Sequence, residues 1–215
     1  MIKVVRLPKP DVLARNQAIW TKALLDAKTQ AERKKAESEY RHPEIKNTLI
    51  AMFHGKCAYC ESRITHIAYG DIEHFRPKAK AKFPECTFEW TNLLLSCSVC
   101  NGAEHKGDRF PEKNEGGPLV NPCDDDPCRH FRFVFDPVTK LATVTGQTAR
   151  GRTTEKLLGL NRAELWERRS RMVKMISVLA SYAKTDSEAA ALLEEASRDE
   201  AEYAAFVRVI KRKLQ

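Results

Sequence analysis

The chain has 215 residues, 42% hydrophobic and 31% charged, with 37 Lys and Arg against 29 Asp and Glu for a net charge of +8. This is the composition of a globular protein with a sizeable core, and it excludes an intrinsically disordered chain. No apolar run approaches the length of a membrane span, and the basic balance fits a polyanionic partner without requiring one.

The opening MIKVVRLPKP lacks the apolar stretch and cleavage site of a secretory signal, so a cytoplasmic location is expected. Ile2 to Arg6 reads as a short strand ended by Pro8 and Pro10. Leu13, Ile19, Trp20, Ala23 and Leu24 recur at helical steps, and the charged AERKKAESEY stretch continues that helix as a solvated face. Pro43 suits the first turn of a second helix, with Ile45, Leu49, Met52 and Phe53 on one face and Gly55 as its stop. From Lys56 to Pro122 glycines and prolines cut the chain into short strands and loops. Phe131, Phe133 and Phe135 then alternate, Asp136-Pro137 turns, and Leu141 to Val144 returns as a hairpin. Asn161 is expected to cap a helix running to about Ser181. Thr185 and Glu188 have capping-box spacing for a last helix, whose stripe runs from Ala189 and Leu193 through Tyr203 and Phe206 to Leu214. That stripe reads as core packing, with a docking surface for a partner protein as the alternative.

The strongest signal is a pair of pairs, Cys57-Ala-Tyr-Cys60 and Cys97-Ser-Val-Cys100. Two residues between cysteines let both sulfurs turn to one point, and two such knuckles supply the four thiolates of a tetrahedral Zn²⁺ site. An iron–sulfur cluster takes the same ligands, and a redox pair needs only one knuckle, though the strand–helix alternation of a thioredoxin-like fold is missing. Cys86, Cys123 and Cys128 fall outside the pattern and read as ordinary loop cysteines.

The 36 residues between the knuckles carry more than a metal staple. Within them Asp71-Ile72-Glu73-His74-Phe75-Arg76-Pro77 alternates as a short strand and sets a hard-metal ligand, Glu73, beside an imidazole, His74. Asn92 leads into the second knuckle. Asn101 and His105 follow it four residues apart, a spacing that shares one face on a helix. Arg76, Lys78, Lys80 and Lys82, with Lys106 and Arg109 further on, form a basic run able to grip phosphates, the alternative being a solvated loop. No phosphate-binding loop is present, so ATP use by this chain is not expected.

A zinc knuckle, an acidic residue with His, Asn-Leu, a second knuckle, then Asn and a downstream His resemble the HNH endonuclease family. The resemblance covers about Lys56 to Asp108. It implies an α+β fold: a small ββα-metal core stapled by a four-cysteine zinc site (residues 56–122), N-terminal strand and helices packed on it (1–55), and a hairpin with a C-terminal helical region (123–215). It also implies catalytic roles for Glu73, His74, Asn92, Asn101 and His105. His74 matches the general base, and Asn92 the residue that orients it. Glu73, Asn101 and His105 match ligands of a catalytic Mg²⁺ or Mn²⁺, with Glu73 standing where relatives have Asp or His. The opening motif, the Glu-His-Phe-Arg-Pro-Lys run, Val120-Asn121-Pro122 and Asp125-Asp126-Pro127 resemble the HNH subunits (PtuB) of Septu anti-phage systems and their retron-associated relatives. That resemblance implies nucleic acid as substrate, DNA above RNA, and an ATPase partner of the PtuA type. The competing expectation is a non-catalytic zinc-built module that binds nucleic acid or protein.

Overall fold

The structure, a computed structural model, describes residues 1–66, 68–136, 138–139 and 141–213. The expectations that rest on Pro137 and Leu214 lie outside these residues. The chain divides into two compact units, one of Val4–Ala58 with Ile64–Phe110 and the other of Met1–Lys3, Tyr59–Arg63 and Pro111–Gln215. No helix of the described residues is long and apolar enough to cross a membrane.

In the first unit, α1 (Asp11–Asp26) buries Leu13 and Leu24 completely but leaves Ile19 in solvent. The charged stretch expected to continue it is a separate helix, α2 (Gln30–Glu37). Thr29 starts that helix with a reciprocal box: its hydroxyl accepts from the Glu32 N–H, and the Glu32 carboxylate accepts from the Thr29 N–H. These bonds satisfy orphan donors at a new N-terminus, which is why the chain restarts there. No residue of α2 is buried, as a solvated face requires.

Helix α3 (Pro43–Met52) turns Ile45, Leu49 and Met52 into the interior. It stops in a Schellman turn, in which the Gly55 N–H donates to Ile50 O and the His54 N–H to Ala51 O. His54 and Gly55 both take positive φ, and a Cβ on Gly55 would lie 2.4 Å from the Thr65 hydroxyl. The stop therefore needs glycine, and it delivers the chain to Cys57. The strand expected at Ile2 to Arg6 does not form. Arg6 instead donates its guanidinium to the carbonyls of Trp90, Thr91 and Leu93, and the Trp90 indole N–H donates to Leu7 O. Side chains hold this segment, so its apolar pattern needs no strand partner.

Strands β1 (Asp71–His74) and β2 (Leu93–Ser96) pair antiparallel, with Asp71 opposite Ser96 and His74 opposite Leu93. Leu93, Leu94 and Leu95 are completely buried. A two-stranded ribbon is marginal alone in water, and this one persists because β2 is covered on both faces. A single helical turn, α4 (Ser98–Asn101), follows the second knuckle.

In the second unit, a turn of helix, α5 (Pro127–His130), leads into β3 (Phe131–Phe135), which pairs antiparallel with β4 (Ala142–Gly146). Phe131, Phe133 and Phe135 point inward, as the alternation predicts. Helices α6 (Ala149–Leu157), α7 (Ala163–Tyr182), α8 (Ser187–Ala196) and α9 (Ala204–Arg212) complete it.

Two cap assignments differ from the sequence expectation. Asn161 does not cap α7, because its amide bonds both backbone groups of Val144 and so clips the start of the helix to β4. Asp186, not Thr185, caps α8, accepting from the N–H groups of Glu188 and Ala189. The expected single last helix is two, broken before Tyr203, whose φ of 53° is left-handed.

Candidate active site

The four knuckle cysteines come together, with one sulfur from each lying within 4.8 Å of the others. Gly55 aims the first knuckle after α3, and β2 runs straight into the second. Cys97 also caps α4, its sulfur accepting from the Cys100 N–H at 3.4 Å. The Cys57 sulfur lies 3.6 Å from the Ser96 hydroxyl. Four soft donors gathered at this spacing fit a tetrahedral Zn²⁺. Among the described residues, Cys86, Cys123 and Cys128 join no such group.

Strand alternation sends Asp71 and Glu73 to one face of β1 and His74 to the other. His74 is buried, and its Nε2 lies 3.0 Å from Thr87 O. A carbonyl only accepts, so Nε2 carries the hydrogen and Nδ1 keeps the lone pair. The Tyr40 ring meets the imidazole edge-on at 4.7 Å. Burial, reinforced by Lys78 and Lys106, pushes the imidazole down to about 3, so it is neutral across the physiological range.

Asn92 is buried and clamps the loop between the strands. Its amide donates to Arg76 O and Cys86 O, and its carbonyl accepts from the Arg76 N–H. Cys86 directly precedes Thr87, so Asn92 anchors the backbone one residue before the carbonyl that meets His74.

The remaining residues separate into two groups. Glu73 is buried, with Oε1 2.6 Å from Lys106 Nζ. That ammonium is also buried and donates to His74 O at 2.8 Å. Lys106 is therefore interior, not part of a surface that reaches phosphates. Asn101 is half-buried and donates to Asp71 Oδ2 at 3.3 Å. The two line a cavity of about 470 Å³ that Tyr40, Arg41 and Lys46 also border. Burial lowers the Lys46 ammonium, opposed by the charge of Asp71.

His105 does not share a helical face with Asn101. Gly102 takes an extended ψ of 160°, which ends α4 and leaves His105 half-buried in the turns beyond. Arg76, Lys80 and Lys82 are exposed. Lys78 is half-buried and pairs with Glu37 at 3.0 Å. Arg109 is exposed, with its guanidinium on Ala103 O.

Sequence reasoning passed over Asp71, Thr87, Tyr40, Arg41 and Lys46. Asp71 was within reach, since alternation alone places it beside Glu73. Thr87 acts through its backbone, and the three helical residues come from a segment distant in the chain, so neither carried a sequence signal.

A family model described as HNH endonuclease matches residues 57–107. The chain is 34% identical over 207 residues to the Septu protein PtuB of Bacillus mycoides (strain KBAB4), covering 83% of this chain and 69% of that one. It is 32% identical over 165 residues to the Septu protein PtuB of Bacillus thuringiensis, covering 76% and 56%. A 30% match over 145 residues to the Septu protein PtuA of Bacillus mycoides (strain KBAB4) covers 56% of this chain and 19% of that protein.

Proposed function

Because this chain belongs to the PtuB family of HNH endonuclease proteins, we propose that it is a metal-dependent nuclease that hydrolyses phosphodiester bonds in DNA. It acts as the nuclease subunit of an anti-phage complex with an ATPase of the PtuA type. The observation that carries this reading is the oriented imidazole: His74, neutral and buried, tied through Nε2 to the Thr87 carbonyl, in a loop that Asn92 anchors one residue earlier at Cys86 O. A packing histidine needs no such second support, whereas a general base does.

In this reading the Nδ1 lone pair takes a proton from the attacking water. An approaching phosphate adds negative charge beside the ring and raises its basicity back toward the useful range. The Thr87 carbonyl keeps the ring from rotating, and Tyr40 closes the side of the pocket against it. The exposed Arg76, Lys80 and Lys82 meet the backbone on either side of the cut, with no base readout. Asn101 and a carboxylate of β1 are hard oxygen donors and suit Mg²⁺ or Mn²⁺, which would supply Lewis-acid polarisation of the scissile phosphate and stabilise the leaving oxygen. The four-cysteine cluster holds Zn²⁺ and serves the geometry of the loops alone.

The test is nicking of plasmid DNA by the purified, zinc-loaded protein with Mg²⁺ or Mn²⁺, with and without the ATPase, and with an RNA substrate in parallel. His74→Ala is expected to lose about 10²- to 10⁴-fold in rate with unchanged folding. A His74→Ala protein that cuts at the parental rate removes the imidazole as base, and a parent that cuts neither DNA nor RNA, with or without the ATPase, leaves only the zinc-built binding module.

A further inference from the structure

The cavity of about 470 Å³ beside β1 carries more positive than negative charge. Arg41 and Lys46 border it against a single carboxylate, Asp71, and Tyr40 and the Asn101 amide complete its polar wall. Two cations against one anion favour an anionic ligand. Both cations are braced, and each keeps donors to spare. The Arg41 Nε donates to the Tyr40 hydroxyl at 3.2 Å, and the guanidinium carbon lies 5.5 Å from that ring's centroid. This leaves the two Nη groups, a fork that suits phosphate. Lys46 is half-buried and donates to Gly70 O, which uses one of its three hydrogens. Side chains already held in place lose little freedom when a ligand arrives. Tyr40 also joins this cavity to the imidazole, because the same ring meets His74 edge-on at 4.7 Å. All three residues precede residues 57–107, so the helices ahead of the HNH match supply this charge.

Taking the nuclease reading above as its basis, we propose that Arg41 and Lys46 clamp one internal phosphate of the substrate strand and so set which bond of that strand meets His74. An internal phosphodiester carries a single negative charge, which the excess of one cation in the cavity offsets. A terminal phosphate carries about 1.5 to 2 and would be left under-neutralised. The clamp grips the backbone and reads no base. It acts before the chemical step, so Arg41 and Lys46 are positioning residues.

The test follows binding of a DNA duplex with hydroxyl ends by fluorescence anisotropy at several salt concentrations. It uses the full-length, zinc-loaded protein without Mg²⁺ or Mn²⁺, so that nothing is cut. Arg41→Ala and Lys46→Met are each expected to weaken binding about ten-fold, with thermal unfolding unchanged. Arg41 is exposed, so folding is secure in its variant. The double variant lowers the slope of log K against log salt by about 0.9, the value for one phosphate. Arg15→Ala, an exposed arginine of α1, leaves affinity and slope in place. A slope lowered by about twice that amount means two separate phosphates, an unchanged slope means none, and either overturns the clamp. So does tighter binding of 5′-phosphorylated duplex that Arg41→Ala abolishes, which assigns a terminal phosphate. In the cutting assay with Mg²⁺ the same variants are expected to raise KM about ten-fold at unchanged kcat, and a fall in kcat alone overturns a grip made before the chemical step. A parent that binds with the expected slope and cuts nothing removes the nuclease reading and leaves the phosphate clamp standing. A parent that binds no DNA overturns both.

Discussion

The two units each have a two-stranded antiparallel sheet, and a fully buried basic side chain bonds a strand carbonyl of each. In the second unit this is Arg169. Its guanidinium donates to Ala142 O, Leu160 O and the Asn161 carbonyl, and lies 4.9 Å from the Phe206 ring centroid. Each of these acceptors is neutral. Burial pushes the group down to about 10, still charged at neutral pH. In the first unit the cation is Lys106, and its acceptors include a carboxylate. The first arrangement satisfies carbonyls and fixes shape. The second fixes shape and also neutralises a charge next to the imidazole proposed as base. The difference teaches that a buried cation whose acceptors are all neutral fixes shape alone, whereas one that meets a buried carboxylate also settles the charge around it.

The largest effect that can break this comparison is loss of the zinc staple. Cys100→Ser, or a strong chelator, removes a site that in zinc-finger peptides is worth about 10–16 kcal/mol of apparent binding energy. Hydrogen exchange is expected to show loss of amide protection in β1 and β2 with retention in β3 and β4; simultaneous loss would mean that the two sheets form one cooperative structure. Next is the cation itself. Lys106→Met strands a buried carboxylate and is expected to destabilise by about 3–5 kcal/mol in denaturant unfolding, and adding Glu73→Gln should return most of it. Arg169→Met leaves only neutral oxygens without donors, at about 2–4 kcal/mol. Its bonds all go to neutral oxygens, so no neutralising change at a bonded acceptor rescues it. Rescue in both pairs or in neither would erase the distinction.

The same physics decides how much could be read from the sequence. The four-cysteine cluster was legible because ligand spacing is local. The β3–β4 hairpin was legible because Phe131, Phe133 and Phe135 alternate over a short span. The Ile2 to Arg6 segment misled because its pattern satisfies a strand, while the carbonyls that Arg6 serves lie more than eighty residues away. Asn161 misled in the same way: it is a good cap residue that a tertiary contact with Val144 recruits instead. The α8 cap was missed by one residue, since Thr185 and Asp186 are both able to cap and only the backbone conformation selects between them. At the site, His74 and Asn92 stood out as residue types. Their connection through the backbone carbonyls of Cys86 and Thr87 did not, because a backbone acceptor has no residue identity.

The smallest expected effect concerns pH and returns to the imidazole. Its ordinary value is near 6.5, and burial in the fold lowers it to about 3. Above pH 6.5 both folded and unfolded chains hold His74 neutral, and it contributes no pH dependence. Below that the unfolded chain takes up a proton that the folded chain refuses, so stability is lost as pH falls from 6.5 toward 3. Between pH 7 and pH 5 this amounts to about 2 kcal/mol from this one residue. The check is the difference in unfolding free energy at the two pH values, compared between the parent and His74→Gln, which keeps a donor for Thr87 O but does not titrate. The parent should lose more stability than the variant on acidification. Equal acid sensitivity in His74→Gln and the parent would mean that the ring opens to water in the folded state. A base gated by solvent in that way would have to be held by the substrate and not by Thr87 and Asn92.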